Sequence, residues 1–166
     1  MKRLKIVPLS RRYRFFDSSL LVHFLHVFNG IMKKKILVVE DDIALSNILH
    51  ITLKKSYDVC MARNGREGVE LAASENPDLI LMDIKMPEMD GWEALSILRG
   101  NDVTASIPVI FLSGLGQFDD ILKGFRLGAD NYITKPFTKD DLFDGIEMVL
   151  SRGKTPTTTV SQPLYA

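Results

Sequence analysis

A single cysteine, Cys60, leaves no partner for an internal disulfide, which excludes the framework of a small disulfide-stapled scaffold. It stands in the apolar stretch Val59-Cys60-Met61 and reads as a small hydrophobe in a reducing compartment rather than a nucleophile. Long apolar runs are missing too. No stretch reaches the roughly eighteen residues that a membrane-crossing helix needs. Net charge is also absent, since 21 basic side chains meet 21 acidic ones. That balance hides two unlike regions. Residues 1–32 carry six basic side chains (Lys2, Arg3, Lys5, Arg11, Arg12, Arg14) against Asp17, which leaves 15 basic and 20 acidic residues for the rest. Such a mildly acidic body lacks the clustered positive face that a nucleic-acid partner requires.

The nearest approach to a membrane segment is Leu20-Leu21-Val22-His23-Phe24-Leu25-His26-Val27-Phe28, behind an Arg-rich start. It has the outline of a signal peptide, but two histidines interrupt it and no small-residue cleavage site follows. Met32-Lys33-Lys34-Lys35 and the apolar run behind it read as a natural protein start. Residues 1–31 are therefore expected to be upstream sequence read through, or part of a poorly ordered basic extension over 1–32. A basic amphipathic helix lying on a membrane surface is the alternative.

With 166 residues the chain can bury one sizeable core, with short tails to spare. From Lys35 onward, short β-rich runs alternate with helical ones. Ile36-Leu37-Val38-Val39 has the continuous aliphatic character of a strand buried on both faces. Ile43 to Lys55 follows at helical spacing, through Leu45, Ile48, Leu49 and Thr52 or Leu53. A second strand is expected at Tyr57–Met61, and then a helix capped by Asn64 that reaches Glu75. Further strands are expected at Leu79–Met82, Pro108–Leu112 and Asn131–Ile133. The helices between them contain Trp92, Leu95 and Leu98, then Asp119 to Leu127. Thr138 caps a last helix whose apolar face includes Leu142, Phe143, Ile146 and Val149. Thr155-Pro156-Thr157-Thr158-Thr159 lacks periodicity and is expected to be a mobile tail, over 153–166. Strand–helix alternation of this kind implies right-handed crossovers and a doubly wound α/β domain: a five-stranded parallel sheet with helices on both faces.

In such sheets ligands bind beyond the carboxyl ends of the strands. The residues there are Glu40, Asp41 and Asp42 after the first run, Asp83 after the third, Ser113 after the fourth and Lys135 after the fifth. Singly each has an ordinary explanation: Asp42 as a helix cap, Lys135 as a solvated loop lysine, Ser113 as a turn residue, Tyr132 as packing. Together at the ends of these strands they form an inventory for phosphoryl transfer. Crowded carboxylates call for a compensating cation, and Mg²⁺ takes one or two of them plus a phosphate oxygen. The remaining carboxylate can attack phosphorus, while an ammonium, a hydroxyl and backbone amides hold the equatorial oxygens.

Four stretches then stand in order: Lys35-Ile36-Leu37-Val38-Val39-Glu40-Asp41-Asp42; Asp83-Ile84-Lys85-Met86-Pro87-Glu88-Met89-Asp90-Gly91; Ile110-Phe111-Leu112-Ser113-Gly114; and Gly128-Ala129-Asp130-Asn131-Tyr132-Ile133-Thr134-Lys135-Pro136-Phe137. With them the chain resembles the receiver domain of two-component response regulators over about residues 33–150. The resemblance implies a flavodoxin-like strand order, 2-1-3-4-5, and a receiver occupying 33–152. It implies Asp83 as phosphoacceptor, with Mg²⁺ held by Glu40 (mainly through water), Asp41, Asp83 and the Lys85 carbonyl. It also implies Ser113 and Tyr132 as the switch pair, Lys135 as the phosphate-pairing lysine and a cis bond before Pro136. The donor would be a sensor histidine kinase or a histidine phosphotransfer protein. A downstream protein would read the face of the fourth helix, fifth strand and fifth helix.

The expectation is thus a cytoplasmic, stand-alone response regulator that catalyses only its own phosphorylation and dephosphorylation and makes no direct contact with DNA. Two rivals are less well supported. A docking module that is never phosphorylated would be expected to lack the acceptor or the lysine. A phosphohydrolase would be expected to carry a second aspartate where Lys85 stands. Departures from the family pattern are modest: Gly68 replaces the more usual alanine, and Lys85 and Leu115 offer no group that orients water, so a long-lived phosphorylated form is expected.

Overall fold

The computed structural model describes residues 33–114 and 118–152. The expectations for the 1–32 extension, Leu115 and the 153–166 tail lie outside them. In chain order the elements are β1 (Lys35–Val39), α1 (Ile43–Leu53), β2 (Asp58–Ala62), α2 (Gly65–Glu75), β3 (Leu79–Asp83) and α3 (Gly91–Arg99). Then come β4 (Val109–Ser113), α4 (Phe118–Arg126), β5 (Asn131–Thr134) and α5 (Lys139–Ser151). All strand pairs are parallel, in the order β2-β1-β3-β4-β5. This is the expected doubly wound sheet.

Successive side chains on a strand point to opposite faces, and the core divides accordingly. Leu37, Val39, Ile80, Met82 and Phe111 face Ala72 of α2 and Ala94, Leu95 and Leu98 of α3. Ile36, Val38, Leu79, Leu81, Ile110 and Leu112 face Leu49 and Leu53 of α1 and Leu142, Ile146 and Val149 of α5. Because the inner strands are covered on both sides, their sequences are almost uniformly apolar.

Polar residues set the helix starts. Asp42 accepts from the Ala44 amide at 2.8 Å, Asn64 from Glu67 at 2.8 Å and Asp90 from Glu93 at 2.8 Å. Thr138 and Asp141 cap α5 reciprocally. At the other end of α4, Gly128 adopts a φ of 92°, which a side chain disfavours, and so stops the helix.

Several of the sequence boundaries move by a residue or two. β3 and β4 each run one residue past their apolar runs, to Asp83 and Ser113, because Asp83 still pairs with Leu112 and Ser113 with Thr134. Ladder hydrogen bonds, not side-chain polarity, end a strand. β2 lies one residue later than expected, and α1 stops at Leu53, whose carbonyl accepts from both Ser56 and Tyr57. Ile48, expected on the buried stripe of α1, is exposed; the stripe is Leu45, Leu49 and Leu53, four residues apart.

Candidate functional site

The sheet brings four strand ends to one edge. Beyond β1 the Glu40 amide still reaches the Ala62 carbonyl at 3.0 Å, and beyond β5 the Lys135 amide reaches Ser113 at 2.8 Å. Glu40, Asp83, Ser113 and Lys135 are therefore held by the ladder or by one hydrogen bond past it.

Glu40, Asp41 and Asp83 each offer a carboxylate oxygen, and these oxygens lie within 4.8 Å of one another. Glu40 is 2 % exposed and Asp83 6 %, whereas Asp41 is exposed. Lys135 reaches into this cluster, its Nζ 2.7 Å from Glu40 Oε2 and 3.1 Å from Asp83 Oδ1. The peptide bond between Lys135 and Pro136 is cis, as expected. Burial raises the Glu40 pKa above its usual 4.5, and the Lys135 hydrogen bond and charge pull it back only in part. For Lys135, burial opposes the cation. The Glu40 hydrogen bond and the charges of Asp83 and Glu40 outweigh that, so its pKa rises above 10.5. An all-oxygen set of three acids suits a hard divalent cation such as Mg²⁺.

Ser113 is buried at the end of β4, one residue past Leu112, the register partner of Asp83 on the neighbouring strand. Half-buried Tyr132 shares a side-chain hydrogen bond with Ser113, and burial pushes its phenol pKa up. Asp42 stands apart from the cluster as the cap of α1, in keeping with its sequence reading. Lys85 is exposed in the β3–α3 loop. Cys60 is half-buried, with its thiol 3.7 Å from the Ile36 carbonyl and its pKa raised by burial.

Sequence reasoning missed three supports of this site. The Gly91 amide donates to the Ile84 carbonyl at 2.9 Å. A Cβ at position 91 would press into the Asp83 carbonyl oxygen, so only glycine lets α3 start this close. Arg99 spans the α3–β4 and α4–β5 loops, donating to the Gly128, Ala105 and Ile107 carbonyls and to Asp130. Trp92, Phe111 and Tyr132 form a row of edge-on rings. An arginine closing a helix gave the only signal for the second, and aromatic content gave none for the third.

The sequence profile of the response regulator receiver domain matches residues 36–147. This chain belongs to that family. Receiver domains of this kind are signalling switches of two-component systems. The receiver is 40 % identical over 119 residues to the DNA-binding dual master transcriptional regulator RpaA of Synechocystis, covering 71 % of this chain and 49 % of that protein. It is 37 % identical over 121 residues to the cell cycle response regulator CtrA of Brucella ovis, covering 72 % of this chain and 51 % of that one. The chain thus spans about half the length of the curated relatives it matches. Among solved structures, the signal receiver domain of a histidine kinase from Syntrophus aciditrophicus superposes with a TM-score of 0.67 at 36 % identity, covering 78 % of this chain and 99 % of that one. Among the described residues, no helix is long and apolar enough to cross a membrane.

Proposed function

We propose that this receiver, spanning residues 33–152, accepts a phosphoryl group on Asp83 from the phosphohistidine of a sensor kinase or phosphotransfer protein. One observation carries the reading: a buried carboxylate at a strand end has an ammonium 3.1 Å away and two further acids beside it. An Asp83 oxygen attacks phosphorus, the O–P bond forms as the N–P bond breaks, and the donor imidazole leaves with a proton. Glu40, Asp41, Asp83 and the Lys85 carbonyl would hold Mg²⁺, which neutralises charge on the phosphoryl oxygens.

Lys135 then pairs with the dianion, and Ser113 supplies a hydroxyl to another oxygen. Drawing Ser113 toward the phosphoryl group alters its hydrogen bond with Tyr132, and the α4–β5–α5 face changes shape. A cytoplasmic protein partner, rather than DNA, would read that face. The same site resets itself when water cleaves the acyl phosphate.

The test is incubation with acetyl phosphate and Mg²⁺, followed by intact mass. A gain of one phosphoryl group that is lost in Asp83→Asn is expected; its persistence in that variant would move the acceptor elsewhere.

A further inference from the structure

Behind the acid cluster, the Tyr132 and Phe111 rings meet at 6.2 Å between centroids and 62° between planes. Phe111 meets Trp92 at 4.8 Å and 64°. Phe111 is fully buried, while Tyr132 and Trp92 are half-buried, and the Lys123 ammonium lies 4.6 Å from the centre of the indole ring. The row therefore runs from the hydrogen-bond partner of Ser113 to the surface shared by α3 and α4.

Gly124 of α4 faces all three rings. A Cβ there would come within 3.4 Å of Phe111, 3.4 Å of Trp92 and 3.6 Å of Tyr132. Those are ordinary contacts, so alanine fits the rings as they stand. What alanine removes is the clearance against which they can shift. Glycine inside a helix is destabilising relative to alanine, so clearance is the physical gain that offsets it. Trp92 cannot follow as a rigid unit, because its neighbour Gly91 is fixed against Ile84 and Asp83. In a close-packed interior a moved ring must displace the next one, and only the indole ring is left to turn.

We propose that this row carries the state of Asp83 to the α3–α4 surface: Tyr132 moves, Phe111 repacks, and the Trp92 ring turns beneath Lys123 into the clearance at Gly124. The inference rests on the reading of Asp83 as phosphoacceptor and of Ser113 and Tyr132 as its switch. It adds a second responsive surface to the α4–β5–α5 face.

Trp92 is the sole tryptophan of these 166 residues, so the chain reports on itself. Intact mass and tryptophan emission are read on the same sample after treatment with acetyl phosphate and Mg²⁺. Wild type is expected to gain one phosphoryl group and to shift its emission. Gly124→Ala is expected to gain the same mass and to lose most of the emission shift, as is Phe111→Leu. Mass gain without an emission shift in wild type overturns this inference alone. An undiminished shift in Gly124→Ala overturns it too, because the indole would then be sensing Asp83 directly through Gly91. No mass gain in wild type overturns the reading of Asp83 and this inference with it.

Discussion

The Lys135 ammonium and the Glu40 carboxylate, 95 positions apart in the chain, meet at 2.7 Å, closer than Lys135 meets the proposed phosphoacceptor. The lysine is thus held more closely by Glu40 than by the residue it is proposed to serve.

Lys135→Met is expected to slow acetyl-phosphate labelling of Asp83 by roughly 100-fold, the usual scale for losing one donor to a transferring oxyanion. A time course by intact mass measures it. Labelling at the wild-type rate would remove Lys135 from the reaction.

Glu40 carries a pKa raised above 4.5, chiefly by burial. A raised carboxyl pKa favours the fold fully below the unfolded value, and that contribution is lost as pH rises through the folded value. Glu40→Gln has no proton to lose there. In metal-free buffer its urea midpoint should therefore gain on wild type between about pH 4.5 and neutrality. Mg²⁺ should stabilise wild type more than the variant. A wild type that gains on Glu40→Gln with rising pH, without metal, contradicts the burial account.

Gly68→Ala tests a packing constraint. Helix propensity alone favours alanine by about 1 kcal/mol. The new Cβ, however, would meet Val39 Cγ2 at 2.9 Å and Cγ1 at 3.0 Å. A net loss of about 1 kcal/mol is expected, because overpacking outweighs propensity. In a Val39→Ala background the same change should become favourable. Denaturant melts of the four proteins give the coupling, and additivity would refute it.

Arg99→Leu should cost roughly 2–4 kcal/mol, since it strips donors from three loop carbonyls. Arg99→Lys should recover little, because one ammonium cannot reproduce the planar fork. Thermal unfolding separates the three, and full rescue by lysine would reduce Arg99 to a simple charge.

Lys85 and Leu115 lead to the expectation that label on Asp83 is not lost on a scale of seconds, and that Lys85→Asn, which can orient water, shortens its life. Loss from wild type within seconds, followed by quenched mass spectrometry, would end that expectation.

Most of the site was legible because a parallel, doubly wound sheet puts its strand ends on one edge. Glu40, Asp83, Ser113 and Lys135 could be named from where each apolar run stops. Side-chain reach could not be read in the same way. The preference of Lys135 for Glu40 depends on fractions of an ångström. Gly68 stood out only as a departure from alanine, whereas Val39 occupies the space a methyl group would need. Ile48 followed helical periodicity loosely enough to look buried, yet lies off the stripe. Arg99 acts on backbone carbonyls from two loops, and a sequence carries no record of where its carbonyls point.

Gly91 has a mechanical consequence. With α3 seated flush against the Asp83 carbonyl, the proposed acceptor would have no room to recoil when a phosphoryl dianion replaces the single charge of its carboxylate. The load would be delivered forward instead, onto Lys135, Ser113 and the strands that carry them. The smallest residue of α3 would then serve as the backstop of the proposed switch.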